Sequence, residues 1–120
     1  MNTHIMKVAA ATAAAAPLLL AGFSAHAHAH LVKASPAANS VGPAPRALNL
    51  RFNETLEPRY SGASVMTAGG KTVAASARVS AKAMDLTPKA PLARGSYMVM
   101  WHVVSADGHR MKDQYNFTVK

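Results

Sequence analysis

The sequence contains no cysteine. No disulfide can brace the fold and no thiolate can recruit zinc or monovalent copper, so an apolar core has to supply the stability. Acidic residues are scarce, 5 against 13 Lys and Arg, for a formal net charge of +8. The basic residues stand singly along the chain, with no dense run and no interleaved aromatics, which excludes the clustered footprint of a nucleic-acid-binding surface. No Ser-x-x-Lys, Gly-x-Ser-x-Gly or His-Glu-x-x-His arrangement occurs, so the familiar hydrolase motifs are absent. No stretch repeats a helical period, and no internal repeat is visible.

The chain instead begins with an address. Met1 to Lys7 is a short polar start with one positive charge, and Val8 to Ala21 is an Ala- and Leu-rich apolar run. That is the layout of a signal peptide, and the run is too short to span a bilayer, which needs about 20 apolar residues. In Ala25-His26-Ala27-His28-Ala29-His30, small residues at −3 and −1 offer cleavage after Ala27 or after Ala29. Either cut leaves a histidine first. The expected division is a signal peptide over 1–27 and one exported, periplasmic domain over 28–120, with no membrane anchor once the signal is removed.

Within 28–120 the pattern is alternation at every second residue, interrupted by Pro, Gly and Asn, which predicts an all-β sandwich. Leu31 to Ser35 reads as a first strand, and Ala37 to Pro45 as a proline-rich loop unable to pair. Arg46 to Asn53 places Leu48, Leu50 and Phe52 on one face. Ala63 to Thr67 and Lys71 to Ala75 flank Gly69-Gly70, a hairpin signal. Arg78 to Thr87 reads as one strand with Met84 and Leu86 inward. Gly95 to Val104 carries Tyr97, Val99, Trp101 and Val103 on one face and Met98 and Met100 on the other, so it is expected at the centre of a sheet. Asp113 to Lys120 turns Tyr115, Phe117 and Val119 inward. About seven strands of this length fit an immunoglobulin-like, Greek-key β-sandwich. The strand periodicity of Met66, Met84, Met98, Met100 and Met111 favours core packing over a thioether copper site.

Few side chains can act as acids, bases or ligands: His28, His30, His102, His109, Glu54, Glu57, Asp85, Asp107 and Asp113. Asp107-Gly108-His109 follows the central strand. A histidine at a new N-terminus is a special ligand, because its free α-amine, with a pKa of about 8, and its imidazole Nδ1 close a chelate ring on one ion. An Asp107 carboxylate and a His109 imidazole converging on that ion complete a tetragonal nitrogen and oxygen set, which selects divalent copper. The plain alternatives are that Asp107-Gly108 is just a turn, that His28 and His30 are remnants of a cleavage region, that His102 is a surface or packing residue, and that Glu54 is solvated at a strand end.

Five segments in register, His28-Ala-His-Leu-Val-Lys-Ala-Ser-Pro-Ala, Leu50-Arg-Phe-Asn-Glu54, Pro91-Leu-Ala-Arg-Gly-Ser-Tyr97, Trp101-His-Val-Val-Ser-Ala-Asp-Gly-His109 and Tyr115-Asn-Phe-Thr-Val-Lys120, make the chain resemble the CopC family of periplasmic copper-resistance proteins. The resemblance implies a seven-stranded Greek-key sandwich. It also implies one Cu(II) ion held by His28 through amine and imidazole, Asp107 through oxygen and His109 through nitrogen. Glu54 matches a glutamate near the copper in some members, as a minor ligand or neighbour, and His30 is an assisting residue at most. The methionine-rich loop that some members use for monovalent copper has no counterpart between Met66 and Met84. The implied role is copper capture, buffering or delivery in copper homeostasis, with an inner-membrane CopD-type permease as partner and no enzymatic turnover. The rivals are an oxidative enzyme built on a histidine brace, and a structural immunoglobulin-like domain with incidental histidines. N-terminal sequencing of the exported protein is expected to return histidine in the first cycle; any other residue there removes the chelating amine from the scheme.

Overall fold

The computed structural model describes residues 29–120. The expected signal peptide and His28 lie outside the described residues. Among the described residues eight strands form two four-stranded sheets. In chain order they are β1 Leu31–Ser35, β2 Val41–Gly42, β3 Leu48–Phe52, β4 Gly62–Thr67, β5 Ala75–Ser80, β6 Ala83–Pro88, β7 Gly95–Val104 and β8 Arg110–Val119. One sheet has the order β1-β3-β6-β5 and the other β2-β8-β7-β4. The chain therefore changes sheets after β1, β2, β3, β4 and β6 and stays in one sheet only at the β5–β6 and β7–β8 hairpins, as a Greek-key sandwich allows. No helix among the described residues is long and apolar enough to cross a membrane.

The alternating positions meet between the sheets. Leu48, Leu50 and Phe52 of β3 and Met84 and Leu86 of β6 face Val65 of β4, Tyr97, Val99, Trp101 and Val103 of β7 and Tyr115, Phe117 and Val119 of β8, and all are buried. Phe52 from one sheet meets Trp101 from the other edge to face, with ring centroids 5.1 Å apart. Tyr97 stacks on its cross-strand neighbour Phe117 at 5.4 Å, and its hydroxyl donates to the Ala93 carbonyl at 2.7 Å. That bond ties the loop entering β7 to the strand, as a tyrosine at the corner of a Greek-key sandwich does. On the outer side of the first sheet, Asp85 accepts hydrogen bonds from Asn49 (2.6 Å) and Arg51 (3.0 Å). The Asn49 bond first, then the Arg51 contact, hold the Asp85 carboxyl below its ordinary value. Asp85 is thus occupied in bracing β3 against β6.

Several boundaries differ from expectation. The stretch 78–87 is not one strand but the hairpin β5–β6, which turns at Ala81-Lys82. No Gly, Asn or Pro marks this turn. Ala81 takes φ +54 there, held because its carbonyl accepts from Leu56 N (3.0 Å) and that of Lys82 from Phe52 N (2.8 Å). The Gly69-Gly70 turn does form, with Gly70 at φ +86, but pairing beyond it stops after the Met66↔Thr72 bridge and the Val73 N to Val65 O bond. Lys71 to Ala75 forms no separate strand, because the chain must leave this sheet to start β5 in the other. The proline-rich loop does pair once: β2 adds two residues in parallel to β8, its N–H groups being available where Pro43 and Pro45 are not reached. Of the methionines, Met84 is in the core and Met111 packs against it. Met66, Met98 and Met100 alternate with the buried residues of β4 and β7 and are half-buried on the outer side of their sheet.

A non-glycine residue in the left-handed region costs about 1–2 kcal/mol, against about 0.5–1 kcal/mol for the extra chain entropy that glycine loses. Ala81→Gly is therefore expected to stabilise the fold by about 0.5–1 kcal/mol. A urea midpoint that rises at constant m-value checks this, and a midpoint that falls refutes it.

Candidate metal centre

The strands fix where the Asp-Gly-His segment can go. β7 and β8 pair without interruption up to Val104↔Arg110, so Ser105 to His109 must reverse the chain. Ser105 N donates to the His109 carbonyl at 3.0 Å, and Gly108 N to the Ser105 carbonyl at 2.8 Å. The result is a three-residue hairpin loop, Ala106-Asp107-Gly108, whose last residue needs positive φ. Gly108 supplies it at φ +92.

Within that loop the side chains of Asp107 and His109 come together. His109 Nδ1 donates to Asp107 Oδ2 at 2.9 Å, and Asp107 Oδ1 accepts from the Ser105 hydroxyl and, at 3.3 Å, from His109 N. Ser105 is itself buried, so its hydroxyl is a fixed donor beneath an exposed carboxylate. The Ser105 bond first, then the His109 bonds, lower the Asp107 carboxyl from its ordinary 3.8 to about 2. The carboxylate stays ionised across the physiological range. Bonding of Nδ1–H to Asp107 fixes the tautomer of His109, with the ring lone pair on Nε2.

The same end of the sandwich receives the start of the domain. Leu31 pairs with Phe52 at the end of β3. Asn53 N donates to the His30 carbonyl (3.1 Å), while His30 N donates to Asn53 Oδ1 (2.5 Å). Two residues on, Ala106 N donates to the Thr55 carbonyl (3.1 Å), and Leu56 bridges Ser105. His30, Glu54, Asp107 and His109 thus lie around one loop, residues 53–57. Ala29 is fully buried, so the chain is anchored up to the residue that follows His28.

Of the expected set, the structure brings Asp107 and His109 into contact and sets Glu54, half-buried, in the bend beside Asn53. His28 lies outside the described residues, and among those described no three of His, Asp and Glu gather around one point. His102 is on the outer side of β7, opposite Gly62. A Cβ at residue 62 would stand 3.0 Å from His102 Cε1, so glycine there makes room for the ring, in keeping with a packing role. Sequence reasoning overlooked Ser105 and Asn53. A serine two residues before Asp107 was the available signal for the first; nothing short of strand register marks the second.

Residues 31–120 match the family model described as the CopC domain. The chain belongs to the CopC family. "Copper resistance protein C" of Xanthomonas campestris pv. juglandis is 42% identical over 110 residues, covering 84% of this chain and 87% of the relative. The crystal structure of PcoC, a methionine-rich copper resistance protein from Escherichia coli, superposes with a TM-score of 0.73 at 36% identity, covering 78% of this chain and 100% of that one. CopC from Methylosinus trichosporium OB3b superposes with a TM-score of 0.71 at 38% identity, covering 78% and 94%. The CopC assignment agrees with the two-sheet architecture derived from the alternation pattern.

A carboxyl whose folded value is depressed contributes stability above its unfolded value and loses it as pH falls through the folded one. For Asp107 that window runs from 3.8 down to about 2. Ser105→Ala removes the largest cause, so the Asp107 carboxyl is expected to titrate closer to 3.8 and the acid-side loss to shrink. Carboxyl-carbon NMR titration of the metal-free protein measures it; an unmoved midpoint excludes the Ser105 hydroxyl as the cause.

Proposed function

We propose that this CopC-family chain is a periplasmic copper-binding protein that captures one Cu(II) ion between its processed N-terminal histidine, His28, and the Asp107–His109 corner, and buffers or delivers it. The observation that carries the proposal is the convergence at one end of the sandwich: the hairpin loop bearing Asp107 and His109 is bonded to the loop that also holds His30. The copper-resistance names of relatives that match most of the chain support copper as the cargo.

The chemistry of the corner suits a hard-to-borderline divalent cation. Asp107 offers an ionised oxygen and His109 an imidazole nitrogen, a pair without sulfur that favours Cu(II) over Cu(I). His28 adds an amine and an imidazole in one chelate. Glu54 serves as a neighbour able to accept a hydrogen bond from a bound water. His30 assists through its main chain rather than as a ligand.

Two features support processing after Ala27 in preference to Ala29. A cut after Ala29 would remove a residue that is fully buried in the core. It would also turn His30 N, which bonds Asn53 Oδ1, into the chelating amine and set the metal against that bond. Starting at His28 avoids both. The role is capture and hand-over, with a CopD-type inner-membrane permease as the receiving partner, rather than turnover.

Titration of the exported, metal-free protein with Cu(II) against a competing chelator is expected to give one tight equivalent. One extra glycine before His28 moves the amine and should weaken binding by at least about a hundredfold, the scale of losing one arm of a chelate at about 1.4 kcal/mol per tenfold. Asp107→Ala and His109→Ala should each weaken it by about 10- to 100-fold. Equal affinity for the extended and the parent protein would refute the brace.

A further inference from the structure

We infer that Asn53 is a positioning residue for the copper site: its two hydrogen bonds with His30, together with the burial of Ala29, fix the chain that follows the N-terminal residue to the same loop that holds the Asp107–His109 hairpin. The inference rests on the copper reading above and adds the device that preorganises it.

The geometry of the ladder shows what Asn53 does. β1 and β3 are antiparallel, and beyond Leu31↔Phe52 the next opposed residues are His30 and Asn53. In a regular ladder these two exchange main-chain bonds in both directions. Here Asn53 N does bond the His30 carbonyl, at 3.1 Å, but His30 N bonds the Asn53 side chain, Oδ1, at 2.5 Å. The side-chain carbonyl stands in for the main-chain one. Asn53 can therefore complete the pairing of the incoming N-terminus while its own main chain bends away from β1.

That bend is what the rest of the site uses. The chain leaving Asn53 delivers Thr55 O to Ala106 N at 3.1 Å and Leu56 to its bridge with Ser105. Ser105 in turn bonds Asp107 and closes the hairpin with His109. One residue with a short amide side chain thus couples both halves of the proposed ligand set to the same loop. An alanine here could not hold His30 N, and a main-chain carbonyl in its place would forbid the bend.

On the other side of His30, Ala29 is fully buried within the apolar core. With residue 29 packed and residue 30 bonded at both N and O, a single residue, spanning about 3.3–3.6 Å, separates the fixed chain from the amine of His28. Fixing main chain before binding removes an ordering cost that the metal would otherwise have to offset. The consequence is tighter binding and a single coordination geometry, without any contact between Asn53 and the ion.

The test uses protein purified after export, with its processed N-terminus, and Cu(II) as the probe. Asn53→Ala is expected to weaken Cu(II) binding on the order of tenfold and to turn one electron paramagnetic resonance signature into a mixture. Asn53→Asp keeps the acceptor and should restore the parent spectrum. In protein carrying the extra N-terminal glycine, Asn53→Ala should have no further effect, because the amine is already displaced. If folded Asn53→Ala matches the parent in affinity and spectrum while the glycine extension still weakens binding, the positioning role is overturned and the brace stands. If the glycine extension itself has no effect, the brace fails and the positioning role with it. Should Asn53→Ala not fold, Asn53→Gln, which displaces the acceptor by one methylene, takes its place, and parent-like affinity and spectrum in that variant overturn the inference equally.

Discussion

The unbroken antiparallel pairing of β7 with β8, from Gly95↔Val119 to Val104↔Arg110, is the constraint from which the remainder follows. Its register puts Val99 opposite Tyr115 and Tyr97 opposite Phe117, so both strands present their apolar side to the other sheet together. A slip by one residue would turn every one of these side chains outward. The same register ends the ladder at Val104, which obliges Ser105 to His109 to form the reversal and leaves Asp107 and His109 at its tip. The position of the candidate ligands is thus a by-product of core packing: they sit where the longest hairpin runs out.

Two aspartates illustrate how environment divides structural from chemical carboxylates. Asp85 is held by Asn49 and by the Arg51 guanidinium, and lies opposite Arg78 in the ladder. Its charge is neutralised within the sheet. Asp107 is kept ionised as well, but by a hydroxyl, an imidazole and a main-chain amide; among the described residues no Lys or Arg forms an ion pair with it. Its negative charge remains on offer at an exposed loop of a basic protein. That is a local negative charge which the net charge of the chain would never suggest.

The loop 53–57 ties this corner to the start of the domain. It lies between the first strand and the β7–β8 hairpin, bonded to both, and it also takes up the Ala81 carbonyl of the β5–β6 turn. Three segments far apart in sequence are therefore held at fixed spacing by main-chain hydrogen bonds. Such bonds depend little on side-chain identity, and this allows a rigid scaffold to support ligands carried on short loops.

Alternation alone disclosed the sandwich, the buried faces of β3, β7 and β8, and the prominence of Asp107-Gly108-His109, because period-two burial and glycine turns are local properties. The turn at Ala81-Lys82 was illegible for the same reason: alanine has no local preference for φ +54, and it is imposed by hydrogen bonds from Phe52 at the end of β3 and Leu56 in the loop beyond it. The outward methionines of β4 and β7 were misread because periodicity gives the two faces of a strand without saying which one is covered. Ser105 beneath Asp107, and Asn53 against His30, depend on bonds between residues brought together by folding. The linear order of residues decided which groups exist and which face they share; the packing of one sheet on the other decided which end of the sandwich they meet at, since long-range hydrogen bonding has no sequence period to announce it.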